Sequence, residues 1–259
     1  MFIEERHQQI LKTLNDTGHI TTAQIEAAFG VSYDSAKRDL RILEEKGLLK
    51  RTHGGALPLR SVGAGADIHN LSSAERGQTV KENYQAIARE AAKMIQPQDV
   101  VYVTGASIGY LLVRSLPQDL PCTIVTNSIS IAAELRRYPK VTTIMTGGEM
   151  HPNGSFYDDF TLSMLRRIRF DKCFLTSSAI SADFGLSIHK SRNVGIVNTV
   201  ISQSKQCIGL YPTEKIGFDS IISICPANKL DVLITDWDAA DSELQQFREF
   251  GIEVQIAEK

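Results

Sequence analysis

Two residue patterns in this chain could do chemistry. The first is cationic and helical. In the stretch Gly30-Val31-Ser32-Tyr33-Asp34-Ser35-Ala36-Lys37-Arg38-Asp39-Leu40-Arg41, the residues Lys37, Arg38 and Arg41 share one side of a 3.6-residue wheel with Asp34. Ala36, Leu40 and Leu43 recur at i, i+4 and i+7 on the other side. Ser32 suits the cap of such a helix, its hydroxyl accepting a first-turn amide. A helix that packs through one face and offers Tyr33, Ser35, Lys37, Arg38 and Arg41 on the other can lie in a major groove; the same pattern also suits a solvated basic face. The second pattern is a series of small polar loops. Thr104-Gly105-Ala106-Ser107, Thr126-Asn127-Ser128 and Thr146-Gly147-Gly148 each follow a short apolar run. Loops of this kind bring backbone amides, hydroxyls and helix N-termini to a small anion, and they also end strands for purely structural reasons.

The elements that must position the first pattern are legible around it. Residues 4–16 read as a helix, ended by Thr17-Gly18-His19. Thr21 with Gln24 three residues on forms a capping box that opens a second helix over 22–29. The Gly-Val-Ser turn leads into the third helix, to about Lys46-Gly47, and residues 48–57 read as two short strands around a tight turn. Three helices and a basic hairpin make a winged helix-turn-helix domain over 1–58. Residues 59–77, rich in Gly and Ala, read as a linker. From 78 to 259, helical patterns alternate with apolar strands at 100–103, 123–125, 141–145, 173–175, 206–210, 220–224, 232–234 and 253–255. That alternation predicts a doubly wound, mainly parallel α/β domain, with ligands bound at loops beyond the strands' carboxyl ends.

Composition sets bounds on function. The 259 residues carry a net charge of −2, but residues 1–60 sum to +1 and the rest to −3, so the basic surface is concentrated near the third helix. No apolar run is long enough to span a bilayer and the first residues lack a secretory pattern, so a cytoplasmic, non-membrane protein is expected. Cys122, Cys173, Cys207 and Cys225 are far apart, with no His at ligand spacing. Reduced thiols, no metal and no cofactor are the reading.

The residues from Arg6 to Ala56 carry a family resemblance: Arg6, Ile10, Gly30-Val31-Ser32, Lys37-Arg38-Asp39-Leu40, Leu43, Gly47 and Arg51-Thr52-His53-Gly54-Gly55-Ala56. This block closely resembles the N-terminal domain of the DeoR family of bacterial sugar-metabolism regulators. Further on, Thr126-Asn127-Ser128, Thr146-Gly147-Gly148, Phe170-Asp171-Lys172, Gly185-Leu186-Ser187 and Leu233-Ile234-Thr235-Asp236 resemble the family's effector domain, itself similar in fold to sugar-phosphate isomerases. The resemblance implies a transcriptional regulator of a carbohydrate-metabolism operon, most often a repressor, that binds double-stranded operator DNA as a homodimer or homotetramer. It implies that a phosphorylated sugar or related anionic metabolite modulates that binding. Tyr33, Ser35 and Lys37 would lie nearest the base edges, Arg38 and Arg41 at bases or phosphates, and Arg51 and His53 at the backbone or minor groove. Asp39 suits either a structural ion pair or a cytosine amine.

The effector half departs from the family. The loop usually written Asp-Ser/Ala-Gly-Thr-Thr is here Val103-Thr104-Gly105-Ala106-Ser107, and Asp-Ser-Ser-Lys-Phe-Gly becomes Pro212-Thr213-Glu214-Lys215-Ile216-Gly217. His189, Lys190, Arg192 and Asn193 stand where the family offers Asn and Glu. The candidate effector contacts are therefore Thr104, Gly105, Ala106, Ser107, Thr126, Asn127, Ser128, Gly147, Gly148, His189, Arg192 and Lys215. Fewer acids and more cations suit either a more anionic effector or an altered pocket. A sugar-phosphate isomerase activity is the reading from another class, but it needs a base that these loops scarcely supply.

Overall fold

Side chains at helical spacing close the first core. Ile10, Leu14, Ile25, Ala36, Leu40 and Leu43 are buried together with the strand residues Ile20, Leu49 and Ala56. The computed structural model describes residues 3–17, 20–46, 48–52, 54–58, 71–78 and 80–259. The chain divides into two units, Met1–His69 and Asn70–Lys259. In the first unit α1 (Ile3–Thr17), α2 (Thr22–Phe29) and α3 (Tyr33–Glu45) accompany a small antiparallel sheet. Its strands are β1 (Ile20–Thr21), β2 (Leu49–Thr52) and β3 (Gly55–Pro58), in the order β1-β3-β2. The hairpin β2–β3 is the wing.

Local chemistry fixes the turns. The Thr21 hydroxyl accepts from Gln24 N at 3.2 Å while Gln24 Oε1 accepts from Thr21 N at 2.8 Å, closing the capping box. Gly30 takes φ +63° at the end of α2, a conformation that costs glycine nothing. At Gly55 a Cβ would lie 2.0 Å from the Ile20 carbonyl oxygen, so only glycine lets β3 pair with β1.

The second unit opens with α4 (Ser73–Gly77), inside the stretch expected to be linker. Ser72 and Glu75 form a capping box there, and Ser73 Oγ lies 3.1 Å from Ser128 Oγ, so these residues are part of the α/β unit; residues 59–70 lie outside the described ones. After α5 (Glu82–Lys93) come β4 (Val100–Val103), α6 (Ser107–Arg114), β5 (Cys122–Thr126), α7 (Ile129–Leu135), β6 (Val141–Met145), α8 (Asp159–Leu165) and β7 (Phe170–Leu175). Two short strands, β8 (Ala179–Ser181) and β9 (Gly185–Ile188), lead to α9 (Val194–Gln203) and β10 (Ser204–Leu210). The chain ends with β11 (Ile222–Cys225), β12 (Val232–Asp236), α10 (Asp241–Glu249) and β13 (Glu253–Ala257).

Seven of these strands form one sheet, ordered β13-β12-β10-β7-β4-β5-β6, and every pairing in it is parallel. Chain progress runs outward from β4 to β6, then returns to β7 on the other side of β4. The order therefore reverses between β4 and β7, and the loops leaving those two strands diverge to open a crevice. The strand expected over 220–224 is not in this sheet. It is β11, which with β8 and β9 makes a separate antiparallel sheet of order β11-β9-β8. The hairpin β8–β9 was not anticipated, because its strands are three and four residues long and poor in β-branched residues.

Candidate functional site

In the first unit the third helix is locked from behind. Asp39 is buried and accepts from Arg6 Nε at 2.7 Å and Arg6 Nη2 at 3.1 Å, with His7 Nε2 at 3.1 Å. Burial opposes ionisation of this carboxyl, but the hydrogen bonds from Arg6 and His7 outweigh it and hold its pKa below the ordinary value. Asp39 thus fastens α3 to α1, which settles its role as structural. Its neighbours face outward. Tyr33, Lys37, Arg38 and Arg41 are exposed, and the Lys37 ammonium rests 4.8 Å from the centre of the Tyr33 ring. Among the described residues, no carboxylate lies within 4 Å of Lys37 or Arg38. Arg41 and Arg51 are loosely paired with Glu45 (3.8 Å) and Glu44 (3.9 Å), exposed contacts worth little. Ser35 is half-buried, its amide donating to the Ser32 cap and its hydroxyl 3.0 Å from Ser32 Oγ. His53 lies outside the described residues.

In the second unit the crevice beside β4 and β7 collects cations. Arg76, from α4, donates from Nη2 to the Gly105 carbonyl at 3.3 Å. Lys215, just after β10, donates from Nζ to Thr176 Oγ1 at 3.3 Å, beyond the end of β7, and sits 5.8 Å from the centre of the Tyr84 ring. Burial pushes the Lys215 ammonium down to about 8, with Glu214 opposing and Arg76 reinforcing that shift. Burial likewise lowers the pKa of Arg76. Among the described residues, no carboxylate lies within ion-pair distance of Lys215. No side chain caps α6 at Ala106, so its first-turn amides keep donors for a ligand. A Cβ on Gly109 would lie 2.2 Å from the Thr104 carbonyl oxygen; this glycine lets α6 sit close on the loop.

The acids nearby are already engaged. Asp236 is fully buried and accepts from Asn83 Nδ2, Thr213 N, Thr213 Oγ1 and Asp238 N, at 2.6–3.2 Å. Glu214 accepts from Asn83 Nδ2 at 3.0 Å and pairs with Lys81 at 3.6 Å.

The expected effector residues separate into five groups. Thr104, Gly105, Ala106 and Ser107 line the β4–α6 loop, and Lys215 reaches the adjacent β7 loop. Thr126, Asn127 and Ser128 are buried and tied into the fold: Asn127 donates to the Phe156 carbonyl at 2.8 Å and accepts from Tyr102 Oη at 3.1 Å. They shape the loop against which Gly105 packs, a Cβ there lying 3.0 Å from Asn127 Oδ1 and from Ser155 Oγ. Gly147 accepts from the Thr161 hydroxyl at its carbonyl, and Gly148 faces the Asp158 carboxylate, which accepts from the Glu149 amide and leaves no room for a Cβ on Gly148. His189 contacts Ser220 at 3.0 Å, beside the small sheet. Arg192 lies over the Tyr157 ring at 5.2 Å and 3.5 Å from His151 Nδ1. Arg76, Tyr84, His151, Tyr157 and Thr176 were not singled out as site residues from sequence. Arg76 was legible in part, because Ser72-Ser73-Ala74-Glu75 is the same capping-box signature that marks α2.

Comparison with known proteins now has two geometries to meet. Residues 6–62 match a model described as the DeoR-like helix-turn-helix domain, and residues 80–237 match one described as the DeoR C terminal sensor domain. The chain belongs to the DeoR family. This DeoR-family chain is 32% identical to the HTH-type transcriptional repressor GlcR of Bacillus subtilis, over 91% of this chain and 89% of that one. It is 27% identical to the HTH-type transcriptional regulator GolR of Listeria innocua, over the whole of both. With the glycerol-3-phosphate regulon repressor of Escherichia coli K12 it shares 25% identity over 97% and 98% of the two chains. It is thus a DNA-binding transcriptional regulator with a sensor domain. Overlap with ribose 5-phosphate isomerase A of Methanocaldococcus jannaschii is loose (TM-score 0.37, 14% identity, 53% of each chain) and carries nothing about activity.

Proposed function

We propose that this DeoR-family regulator represses a carbohydrate-metabolism operon and is released from its operator by a phosphorylated sugar or related anionic metabolite. Two or more copies hold double-stranded DNA, since one module supplies too little affinity and specificity. Tyr33, Lys37 and Arg38 read the major groove, Arg41 and Arg51 hold phosphates once their loose carboxylate partners let go, and Ser35 stays on the cap of α3. His53 remains a wing contact by its sequence position.

The observation that carries the effector half is Lys215: a half-buried ammonium at a strand-order reversal, with no carboxylate in ion-pair reach among the described residues. A phosphate there would accept from Lys215, Arg76 and the uncapped amides of α6. The Thr104–Ser107 loop then makes direct contacts, while Thr126, Asn127 and Ser128 support it from behind. Glu214 and Asp236 are held by donors of the fold, so the site binds a sugar phosphate without supplying a free base for isomerisation. The test is a gel shift of the full chain on DNA upstream of its own gene, with and without a panel of sugar phosphates. Specific binding relieved by at least one of them is expected. Absence of specific binding in every condition overturns the reading.

A further inference from the structure

A phosphate would engage the cations beside β4 and β7. A second cationic cluster is joined to them by a short chain of contacts. Arg192 stands in the turn Ser191–Asn193 before α9, half-buried, its guanidinium carbon 5.2 Å from the centre of the Tyr157 ring. Among the described residues no carboxylate lies within 4 Å of it. Stacking on Tyr157 fixes the plane of the guanidinium and leaves its edge for a planar or tetrahedral anion. His151 packs edge-on against the same ring, 5.1 Å between centres, with Nδ1 3.5 Å from Arg192 Nη1. Accepting there leaves the ring proton on Nε2, a further donor.

Tyr157 joins this cluster to the phosphate end. Its hydroxyl accepts from Asn153 Nδ2 at 3.0 Å, and Asn153 Oδ1 accepts from the amide of Ser155, whose hydroxyl walls Gly105. Gly105 in turn holds Arg76, which lies within electrostatic reach of Tyr157. Contacts thus run from Arg76 through Gly105, Ser155 and Asn153 to Tyr157, and from Tyr157 to Arg192 and His151. Neutral sugar hydroxyls are poor company for a half-desolvated guanidinium beside a histidine donor, and the acids that would bind hydroxyls are engaged elsewhere.

We infer that the effector is a phosphorylated sugar derivative carrying a second anionic group, a carboxylate or another phosphate, which Arg192 and His151 receive while Lys215 and Arg76 hold the first phosphate. This inference rests on the phosphate-sensing reading above and makes Arg192 the residue that sets effector specificity.

The experiment is calorimetric titration of the full chain with four probes: inorganic phosphate, glucose 6-phosphate, 6-phosphogluconate and fructose 1,6-bisphosphate. The second and third share a carbon skeleton and a 6-phosphate; carbon 1 is a neutral hemiacetal in the first of these, which is cyclic, and a carboxylate in the other, which is open-chain, so the bisphosphate serves as a second two-anion probe. Wild type is expected to bind at least one two-anion probe ten-fold or more tighter than glucose 6-phosphate. Arg192→Gln should bring that preference to within two-fold while leaving the glucose 6-phosphate affinity unchanged. Arg192→Lys should keep part of the preference, which separates charge from shape. Equal affinity of glucose 6-phosphate and both two-anion probes in wild type overturns the inference yet leaves phosphate sensing standing. A preference that survives in Arg192→Gln also overturns it. Failure of all four probes to bind, by contrast, removes the phosphate-sensing reading itself.

Discussion

The two units close their buried carboxylates alike but leave their spare cations in different surroundings. In the first, Asp39 is closed by Arg6 and His7, and the cations left over, Lys37 and Arg38, stand outside in water. In the second, the carboxylates are closed too, Asp236 by four donors and Glu214 by Asn83 and Lys81, while Lys215 and Arg192 are half-buried and, among the described residues, have no carboxylate partner. The lesson is physical. A compensated buried charge is scaffold; a partly desolvated charge without its counter-ion marks where a ligand supplies it. DNA needs only exposed cations, because the polyanion brings its own field and releases counter-ions.

The largest expected effect breaks the scaffold side. Asp39→Ala leaves Arg6 and His7 without their partner and should destabilise the first unit by about 3–5 kcal/mol. Thermal unfolding by circular dichroism should then show an early transition for that unit, with sugar-phosphate binding by the second retained. Next comes Lys215→Met, which removes a charge-assisted contact worth about 1.5–3 kcal/mol and should weaken phosphate binding ten-fold or more in calorimetry. The same change should raise the melting temperature of the ligand-free protein below pH 8, because a charged ammonium no longer has to be half-buried.

The pH dependence sharpens this point. Lys215 titrates near 8 when folded and near 10.5 in the unfolded chain, so between those values the unfolded chain binds the extra proton. Stability from this group therefore rises as pH climbs through that window. Anion binding runs the other way: it is strongest below pH 8, where the ammonium is charged, and should fall as pH rises above it. Titrations at pH 7 and pH 9.5 on wild type and Lys215→Met should show a drop in the first and little change in the second.

Smaller effects belong to the exposed side. Arg38→Ala should cost about 1–3 kcal/mol of operator binding per subunit, by fluorescence anisotropy, with folding and effector binding intact. Loss of folding instead would place Arg38 in the scaffold. Ser32→Ala should cost only about 1 kcal/mol of stability, by chemical denaturation, since it removes one cap of α3.

How much of this could be read from the residues follows the same divide. The winged helix was legible because its signals are local: the Thr21–Gln24 box, Gly30 in its turn, the i, i+4, i+7 apolar face of α3. The parallel sheet was legible from strand–helix alternation. What escaped is non-local. Asn127 and Gly105 have the residue types of a ligand loop, but only the fold shows that Asn127 spends its amide on Phe156 and Tyr102. The proximity of Gly148 to Asp158 arises from the return of the chain into α8, and spacing does not announce it. Arg76 was hidden because the Gly-rich run before it made a linker seem to continue through a capped helix.

We assign effector sensing to the cations left open in the second unit and DNA binding to those exposed on the first. Anisotropy of labelled operator bound to full-length protein, titrated with the sugar phosphate that releases wild type, separates the two roles. Lys215→Met is predicted to bind the operator with wild-type affinity and to stay bound at effector concentrations that fully release wild type. Release of Lys215→Met at the same concentration as wild type would show that Lys215 does not sense the effector.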